Sequence, residues 1–216
     1  MNRIAENLNR LKANIDNKAT LVVVSKYRSI EEIQAAYDAG QRHFAENRVQ
    51  ALLERAEALP RDIHWHLIGH LQTNKVKYIA PFVHLIHSVD SIKLLETIQK
   101  EAEKQGRVIP FLAQLHVAQE ESKFGISPAD FPSFQEAVLA GNFPNTEWKG
   151  LMAMATFSDD ENLVKGEFRR AKQLYDECKK NMSSSFDTLS MGMSGDYAWA
   201  IQEGSNLVRV GSAVFA

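Results

Sequence analysis

The sequence lacks the features that mark secreted, membrane-spanning and nucleic-acid-binding proteins. Its 216 residues include one cysteine, Cys178, so an intrachain disulfide framework is excluded and a reducing compartment is expected. No apolar run approaches the ~18 residues of a membrane span, and the amino terminus has no signal-peptide core. The formal net charge of −2 provides no basic field for nucleic acid. These absences predict a soluble, cytoplasmic protein with no nucleic-acid or membrane partner.

What the sequence does contain is a regular alternation of short apolar runs and amphipathic segments. Apolar residues spaced three and four apart predict an opening helix over 4–15. Eight strands are then predicted at 21–26, 43–46, 63–68, 83–88, 110–117, 148–153, 187–191 and 206–210. Helices are predicted between them at about 29–39, 49–59, 74–79, 91–106, from 127 onward, 160–181 and up to Glu203. The spacing of Cys178 from Ala171 and Leu174 places it on one helix face, as a packed core thiol.

This alternation predicts an α/β fold, namely a closed (β/α)8 TIM barrel with an extra amino-terminal helix, in a single domain spanning residues 1–216. An open, doubly wound sheet is the competing architecture. The number of strands and the absence of a G-x-G-x-x-G turn both weigh against it.

Lys26 is the most informative residue of the first strand. It follows four consecutive apolar residues, and the helix start after it combines Ser29 and Glu32 in a capping-box pattern. The carboxyl ends of barrel strands carry the chemistry of this fold. Burial favours the neutral amine, which attacks a carbonyl to form a Schiff base. The alternative, which this strand alone favours, is a lysine that extends from the strand end to water.

Two segments rich in glycine and serine follow the last two predicted strands, where barrels commonly bind phosphate. The segments are Met193-Ser194-Gly195 and Arg209-Val210-Gly211-Ser212. Glycine lets the backbone approach an anion, and hydroxyl and N–H groups can donate hydrogen bonds to it. Either segment alone could be an ordinary turn or cap. Two of them at the two expected places favour a phosphate site.

A lysine that captures aldehydes and a phosphate site at one barrel mouth imply a phosphorylated aldehyde as the ligand. Pyridoxal 5′-phosphate (PLP) is the first candidate and a sugar-phosphate aldehyde is the second. Asn47 and His66 could donate hydrogen bonds to ring substituents of such a ligand. Asn47 could equally cap the helix that begins near Val49.

A set of motifs distributed along the chain resembles the pyridoxal phosphate homeostasis protein family. The motifs of the first half are Val24-Ser25-Lys26, Phe44-Ala45-Glu46-Asn47, the segment from Trp65 to Lys75, and Ile86-His87-Ser88-Val89-Asp90-Ser91. Those of the second half are Glu120-Glu121-Ser122-Lys123-Phe124-Gly125, Gly150-Leu151-Met152, the segment from Leu189 to Asp196, and Val208-Arg209-Val210-Gly211-Ser212. The resemblance covers essentially the whole chain in order.

The resemblance implies a barrel like the amino-terminal domain of bacterial alanine racemase, with PLP held as a Schiff base. The residues that it implies are Lys26 for the Schiff base, Ser194, Arg209, Gly211 and Ser212 for the phosphate, and Asn47 and His66 near the ring. Departures from the family pattern are small: Ala45 stands where glycine is frequent, and Ser212 where threonine is frequent. Ala216 replaces a usual glycine at the end.

The resemblance also implies a protein that controls the level and delivery of PLP, a vitamin B6 form, inside the cell. An alanine racemase would need a tyrosine base from a second domain, and we expect none because the sequence ends at Ala216, after the eighth strand. Tyr27 and Tyr197 lie near the predicted mouth, but such tyrosines more often pack. We therefore predict a monomeric regulator or carrier of PLP, with PLP-dependent apo-enzymes as candidate partners. A PLP-dependent amino-acid racemase, or a Schiff-base aldolase acting on sugar phosphates, are the alternatives.

Three other patterns are given less weight. His64 and His66 form the His-x-His pattern of metal-dependent barrel hydrolases, but spacing ties no carboxylate or further histidine to them, so no metal is predicted. Lys75 and Lys77 fit a solvated helix face better than an anion site. The charged helix predicted over 160–181 coats the barrel, or offers a docking surface for PLP enzymes.

Overall fold

A computed structural model of the chain describes residues 2–119 and 124–216. The segment 120–123, which carries most of the Glu120-to-Gly125 motif, lies outside the described residues. The strands are β1 Thr20–Val24, β2 His43–Glu46, β3 His64–Leu67, β4 Leu85–Val89, β5 Ile109–His116, β6 Thr146–Met154, β7 Thr188–Ser190 and β8 Leu207–Val210. They form a closed barrel in sequence order, which confirms the predicted TIM barrel.

Helices connect consecutive strands and cover the outside of the barrel. The long ones are α1 Asn2–Ile15, α2 Ile30–Asp38, α3 Val49–Ala58, α5 Ile92–Lys104, α6 Phe131–Ala140 and α7 Glu161–Lys179. The short ones are α4 Val76–Ile79, preceded by a 3-10 turn at Thr73–Lys75, then α8 Tyr197–Gln202 and α9 Ser212–Phe215. The extra amino-terminal helix is confirmed. Among the residues described, no helix combines the length and apolar composition that crossing a bilayer requires.

The barrel closes because β1 pairs in parallel with both β2 and β8. Side chains alternate along each strand, and two hydrophobic clusters result. The inner cluster consists of Val22, Val24, Ala45, Leu85, Leu112, Met152 and Leu207. The larger cluster, which includes Leu21 and Val23, lies between the barrel and its helices. Burial on both faces explains why the strands are continuous apolar runs rather than alternating ones.

Local capping signals set several helix starts as predicted. The Ser29 hydroxyl accepts a hydrogen bond from the Glu32 amide at 3.3 Å, and the Glu32 carboxylate accepts one from the Ser29 amide at 2.8 Å. This reciprocal capping box satisfies two amides that the first turn of α2 would otherwise leave unpaired. Asp160 is likewise the N-cap residue of α7, and its side chain accepts hydrogen bonds from the amides of Asn162 and Leu163. The turn after Lys26 is therefore followed at once by a well-anchored helix.

One helix boundary differs from the prediction for a local reason. Helix α6 begins at Phe131 rather than at Ser127. Ser127 instead forms a turn of its own, in which its hydroxyl accepts from the Asp130 amide and donates to the Asp130 carboxylate.

Cys178 is 2% exposed, and burial raises the pKa of its thiol to about 11. The prediction of a packed core thiol is confirmed.

Candidate functional site

The chain leaves the barrel at the carboxyl edge of β1, where Lys26 lies. The strand ends at Val24, and Lys26 occupies a turn with an exposed side chain. Tyr27 has a φ of 65° and is 84% exposed. This left-handed conformation is strained for a bulky side chain, and such strain clusters at functional sites. The amine is therefore at the barrel mouth, and the expectation that the Lys26 side chain is buried is wrong.

A buried carboxylate lies beneath this turn. Glu46, at the end of β2, is 1% exposed, and the Ser25 hydroxyl donates to it at 2.6 Å. Arg55 Nε lies 3.1 Å from the same carboxylate, without the alignment of a hydrogen bond, and Arg55 Nη2 donates to the Arg28 carbonyl. Burial raises the pKa of Glu46, against the Ser25 hydrogen bond and the charges of Arg55 and Lys26. These contacts hold both ends of the Lys26 turn.

The two predicted phosphate segments meet at the same edge. The Gly211 amide donates to the Ser194 hydroxyl at 3.2 Å. A Cβ on Gly211 would lie 3.0 Å from the Val24 carbonyl oxygen, so glycine allows this turn to pass close to the end of β1. Ser212 is exposed beside it. The structure thus brings Ser194, Gly211 and Ser212 to the strand end that precedes Lys26 by two residues.

Arg209 lies inside the barrel wall below these turns rather than in them. Its guanidinium donates to the carbonyl and hydroxyl of Ser190 at 2.9 and 2.6 Å, and to the Ala153 carbonyl at 3.1 Å. The side chain is 3% exposed, and burial lowers its pKa to about 10, which leaves it charged at neutral pH. No carboxylate of the described residues forms an ion pair with it. The charge of Asp196 acts on it only through space and opposes the lowering of its pKa. A buried cation whose hydrogen-bond partners are all neutral favours an anionic ligand nearby.

Asn47 follows β2 at the same edge and is exposed. It lines a cavity of about 480 Å³ together with His70, Gln72 and Tyr78. The N-cap residue of α3 is Arg48, whose side chain makes no capping hydrogen bond. Capping by Asn47, the alternative interpretation of this residue, is therefore wrong. A Cβ on Gly69 would lie 2.1 Å from the Asn47 carbonyl oxygen, so the loop after β3 packs directly against Asn47.

His66 is not available at the mouth, contrary to the expectation from the sequence. It is 1% exposed, and both of its ring nitrogens are engaged by other histidines. Nδ1 lies 2.8 Å from His87 Nε2, and Nε2 lies 3.0 Å from His43 Nδ1. Both hydrogen-bonding positions of the ring are thus used within the barrel interior. We therefore leave His66 out of the contacts proposed below.

These histidines belong to a hydrogen-bonded row that crosses the barrel interior. Arg209 can only donate, so the Ser190 hydroxyl accepts from it and directs its own proton to His87 Nδ1, 3.1 Å away. His87 then donates from Nε2 to His66 Nδ1, and His66 donates from Nε2 to His43 Nδ1. Burial holds the pKa of His66 and of His87 well below the usual range, so both rings are neutral and each carries one proton.

Because this row and the ring of His84, whose centroid lies 5.2 Å from that of His66, stay neutral in the folded protein, we expect mild acid to destabilise the fold. Burial, together with the charge that His64 can carry, lowers the pKa of His43 and of His84 to about 4. His43 and Arg107 also face His84 and lower its pKa further. An unfolded histidine has a pKa of about 6.5. Between these two pKa values the unfolded chain binds more protons than the folded chain. The stability that is present above about pH 6.5 is therefore lost as the pH falls toward 4.

The two half-buried rings together should cost roughly 2–3 kcal/mol by about pH 5, allowing for solvent screening. Urea unfolding between about pH 7.5 and 5 measures the loss. The variant His84→Asn removes one titrating ring and should flatten the slope, to which one histidine contributes at most about 1.4 kcal/mol per pH unit. A slope that this variant leaves unchanged would contradict the assignment.

The two tyrosines considered as catalytic bases make other contacts. The Tyr197 hydroxyl accepts a hydrogen bond from the Asn14 side chain of α1 at 3.4 Å, and its ring packs against the large core cluster. Tyr27 extends into solvent from the Lys26 turn. Neither arrangement presents a positioned phenol to the amine of Lys26.

Comparison with known sequences supports one family. The profile of the alanine racemase N-terminal domain matches residues 1–216. The chain is 39% identical over 201 residues to the pyridoxal phosphate homeostasis protein of Aquifex aeolicus (strain VF5), covering 93% of this chain and 87% of that protein. It is 37% identical over 209 residues to the Homo sapiens protein of the same name, covering 90% and 75% of the two chains.

Solved structures lead to the same group. PipY of Synechococcus elongatus PCC7942, solved with PLP bound, superposes with a TM-score of 0.85 at 32% identity, covering 99% of this chain and 100% of that one. Its structure without PLP gives a TM-score of 0.89. Alanine racemase from Bartonella henselae shares the fold, with a TM-score of 0.73 at 18% identity over 99% of this chain and 58% of that one.

Proposed function

The chain belongs to the pyridoxal phosphate homeostasis protein family, and on that basis we propose that it binds PLP as a Schiff base on Lys26. The observation that carries this proposal is the meeting of two features at one edge of the barrel, with a third in the barrel interior below them. They are an accessible amine, the turn that joins Ser194 to Gly211, and the buried guanidinium of Arg209, which has no carboxylate partner among the described residues. An aldehyde with an anionic group matches this combination.

The residues fit PLP in complementary ways. Ser194, Gly211 and Ser212 can donate hydroxyl and amide hydrogens to the phosphate. The resemblance assigns Arg209 to the phosphate too; its position below the turn lets its charge act on the phosphate or on the ring, through the low-dielectric interior. When bound, PLP supplies a reactive aldehyde and an electron-withdrawing ring, and this chain supplies attachment and orientation.

Asn47 is the remaining candidate for a contact to the ring. It lies at the same edge as Lys26, and its side chain is exposed. Glu46 and Ser25 do not reach the mouth themselves but hold the Lys26 turn in place. The proposed binding residues are thus Lys26, Asn47, Ser194, Arg209, Gly211 and Ser212.

We further propose that the protein regulates or carries PLP in the cell rather than turning over a substrate. Its relatives are named for homeostasis of this cofactor, and neither Tyr27 nor Tyr197 is positioned as a second base. A free, buried cysteine fits a reducing cytoplasm. PLP-dependent apo-enzymes as recipients, and a monomeric state, stay predictions from the sequence.

Two measurements test the proposal. Titration with PLP should produce the absorbance of a protonated Schiff base with one PLP per chain, and a chain that leaves the spectrum of free PLP unchanged would exclude binding. Incubation of the loaded protein with a panel of amino acids in deuterated water should give no exchange at Cα. Exchange with any of them would favour the racemase alternative instead.

A further inference from the structure

A second cluster of ligand-type side chains lies at the opposite end of the barrel from Lys26. His43 is the first residue of β2, His66 lies in β3, and His84 directly precedes β4. Each offers one ring nitrogen, and the three nitrogens lie within 4.8 Å of one another. They come from adjacent parallel strands, so the barrel itself holds their backbones in place.

The geometry points to a binding site for one divalent transition metal, formed by His43, His66 and His84 with water as the fourth ligand. This site is separate from the PLP site proposed above and does not depend on it. Zinc binds histidine nitrogens at about 2.0–2.1 Å in tetrahedral sites, so its ligand atoms are about 3.3 Å apart. His43 Nδ1 and His66 Nε2 are already 3.0 Å apart, whereas separations within the set extend to 4.8 Å and must shorten by up to about 1.5 Å through ring rotation to hold one ion.

The entrance of the site is open to solvent. His43 and His84 are half-buried, and the exposed ring of His64 flanks them with centroid distances of 4.7 and 4.5 Å. The partial exposure of His43 and His84 gives a metal ion, and the water that completes its coordination, a route to the site from this end of the barrel. His66 alone lies deep, at the inner end of the site.

The ligand set suits a particular class of metal. Neutral imidazoles favour Zn²⁺, Cu²⁺ or Ni²⁺, whereas Mg²⁺ and Ca²⁺ prefer oxygen ligands. Burial lowers the pKa of His43 and of His84 to about 4, which leaves their rings unprotonated and competent to bind metal at neutral pH. The nearby Arg107 guanidinium is occupied by the carbonyls of Ala80 and Val83.

The hydrogen-bonded row provides the supporting shell that such sites need. When the metal takes His66 Nε2, the proton of that ring moves to Nδ1 and is donated to His87 Nε2, 2.8 Å away. The His87 proton likewise moves to Nδ1, toward the Ser190 hydroxyl. Each ring keeps one proton, so the rearrangement conserves protons within the row. A bound ion would join β2, β3 and β4 at the end of the barrel that serves stability.

The test uses the full chain, dialysed against a chelator and free of PLP. Titration with Zn²⁺ by calorimetry should show one ion per chain, and Co²⁺ as a probe should give the intense visible bands of a tetrahedral site. The variants His84→Ala and His43→Ala should each weaken Zn²⁺ binding by about 100-fold or more, because loss of a ligand to the metal exceeds the 10–100-fold typical of losing a supporting group. The variant His70→Ala, which changes an exposed histidine at the other edge of the barrel, is the matched control.

Circular dichroism and thermal unfolding in chelator establish that each variant is folded. His84→Ala is the cleaner of the two, because the backbone hydrogen bond of residue 84 to Trp65 does not involve the ring. If one variant fails to fold, the other and the Co²⁺ spectrum of the unaltered chain still decide. No stoichiometric binding by the unaltered chain, or unchanged affinity in a folded His84→Ala chain, would overturn the proposal.

Discussion

Replacing Lys26 by alanine is expected to abolish covalent attachment of PLP completely. A Schiff base needs a primary amine, and Lys26 is the amine that the barrel presents beside the Ser194–Gly211 turn. The side chain is exposed, so the fold should tolerate its loss. Borohydride reduction of the loaded protein followed by intact-mass and peptide analysis measures the attachment. We expect one label on the unaltered chain and none on the variant.

Two further variants separate the chemistry from charge and from chance labelling. Lys26→Arg keeps the positive charge near Glu46 but cannot form the imine at neutral pH, so it should also remain unlabelled. Lys18→Ala removes an exposed lysine that pairs with Asp16, and it should be labelled normally. Labelling of the Lys26→Ala chain at the level of the unaltered chain would refute the assigned attachment site.

Removing the hydroxyls of Ser194 and Ser212 is expected to weaken binding of PLP strongly and of pyridoxal hardly at all. A hydrogen bond to a charged group contributes about 1.5–3 kcal/mol, which corresponds to roughly 10- to 100-fold in affinity for each serine. Pyridoxal lacks the phosphate, so it loses nothing at this turn. Spectroscopic titration of Ser194→Ala, Ser212→Ala and the double variant with both compounds measures the difference.

The ratio of the two affinities makes this result specific. Ser194→Thr keeps a hydroxyl and should retain much of the preference for PLP, and Ser184→Ala changes an exposed serine outside the site. The Ser194 hydroxyl also accepts from Gly211, so its loss could loosen the turn. In that case PLP and pyridoxal would weaken together, and the assignment of phosphate binding to these hydroxyls would be wrong.

Much of the fold could be predicted because its signals are local. The four apolar residues of β1 predict a strand buried on both faces, and the structure buries Val22 inward and Val23 outward. Ser29 and Glu32 are three residues apart and cap their helix as their spacing indicates. Eight consecutive strand–helix units have few ways to bury their apolar faces, which is why the barrel could be predicted.

Other features depended on contacts that no local pattern contains. The sequence indicated a buried Lys26, but β1 ends at Val24 and the amine lies in an exposed turn. His66 was expected near a ligand, yet two histidines more than 20 residues away in sequence engage it. A signal did exist, since histidines recur near the starts of three successive predicted strands. Only the register between those strands shows that the rings meet.

The sequence by itself determined the order and type of the elements, the position of Lys26 at a strand end, and the two turns suited to phosphate. Hydrophobic periodicity, helix caps and turns each involve residues that are close together in the sequence, so they can be recognised without coordinates. The tertiary structure alone decided that Ser190 joins His87 across 103 positions and that Arg209 joins Ala153 across 56. Closure of the barrel sets those distances, and closure is a property of all eight strands together.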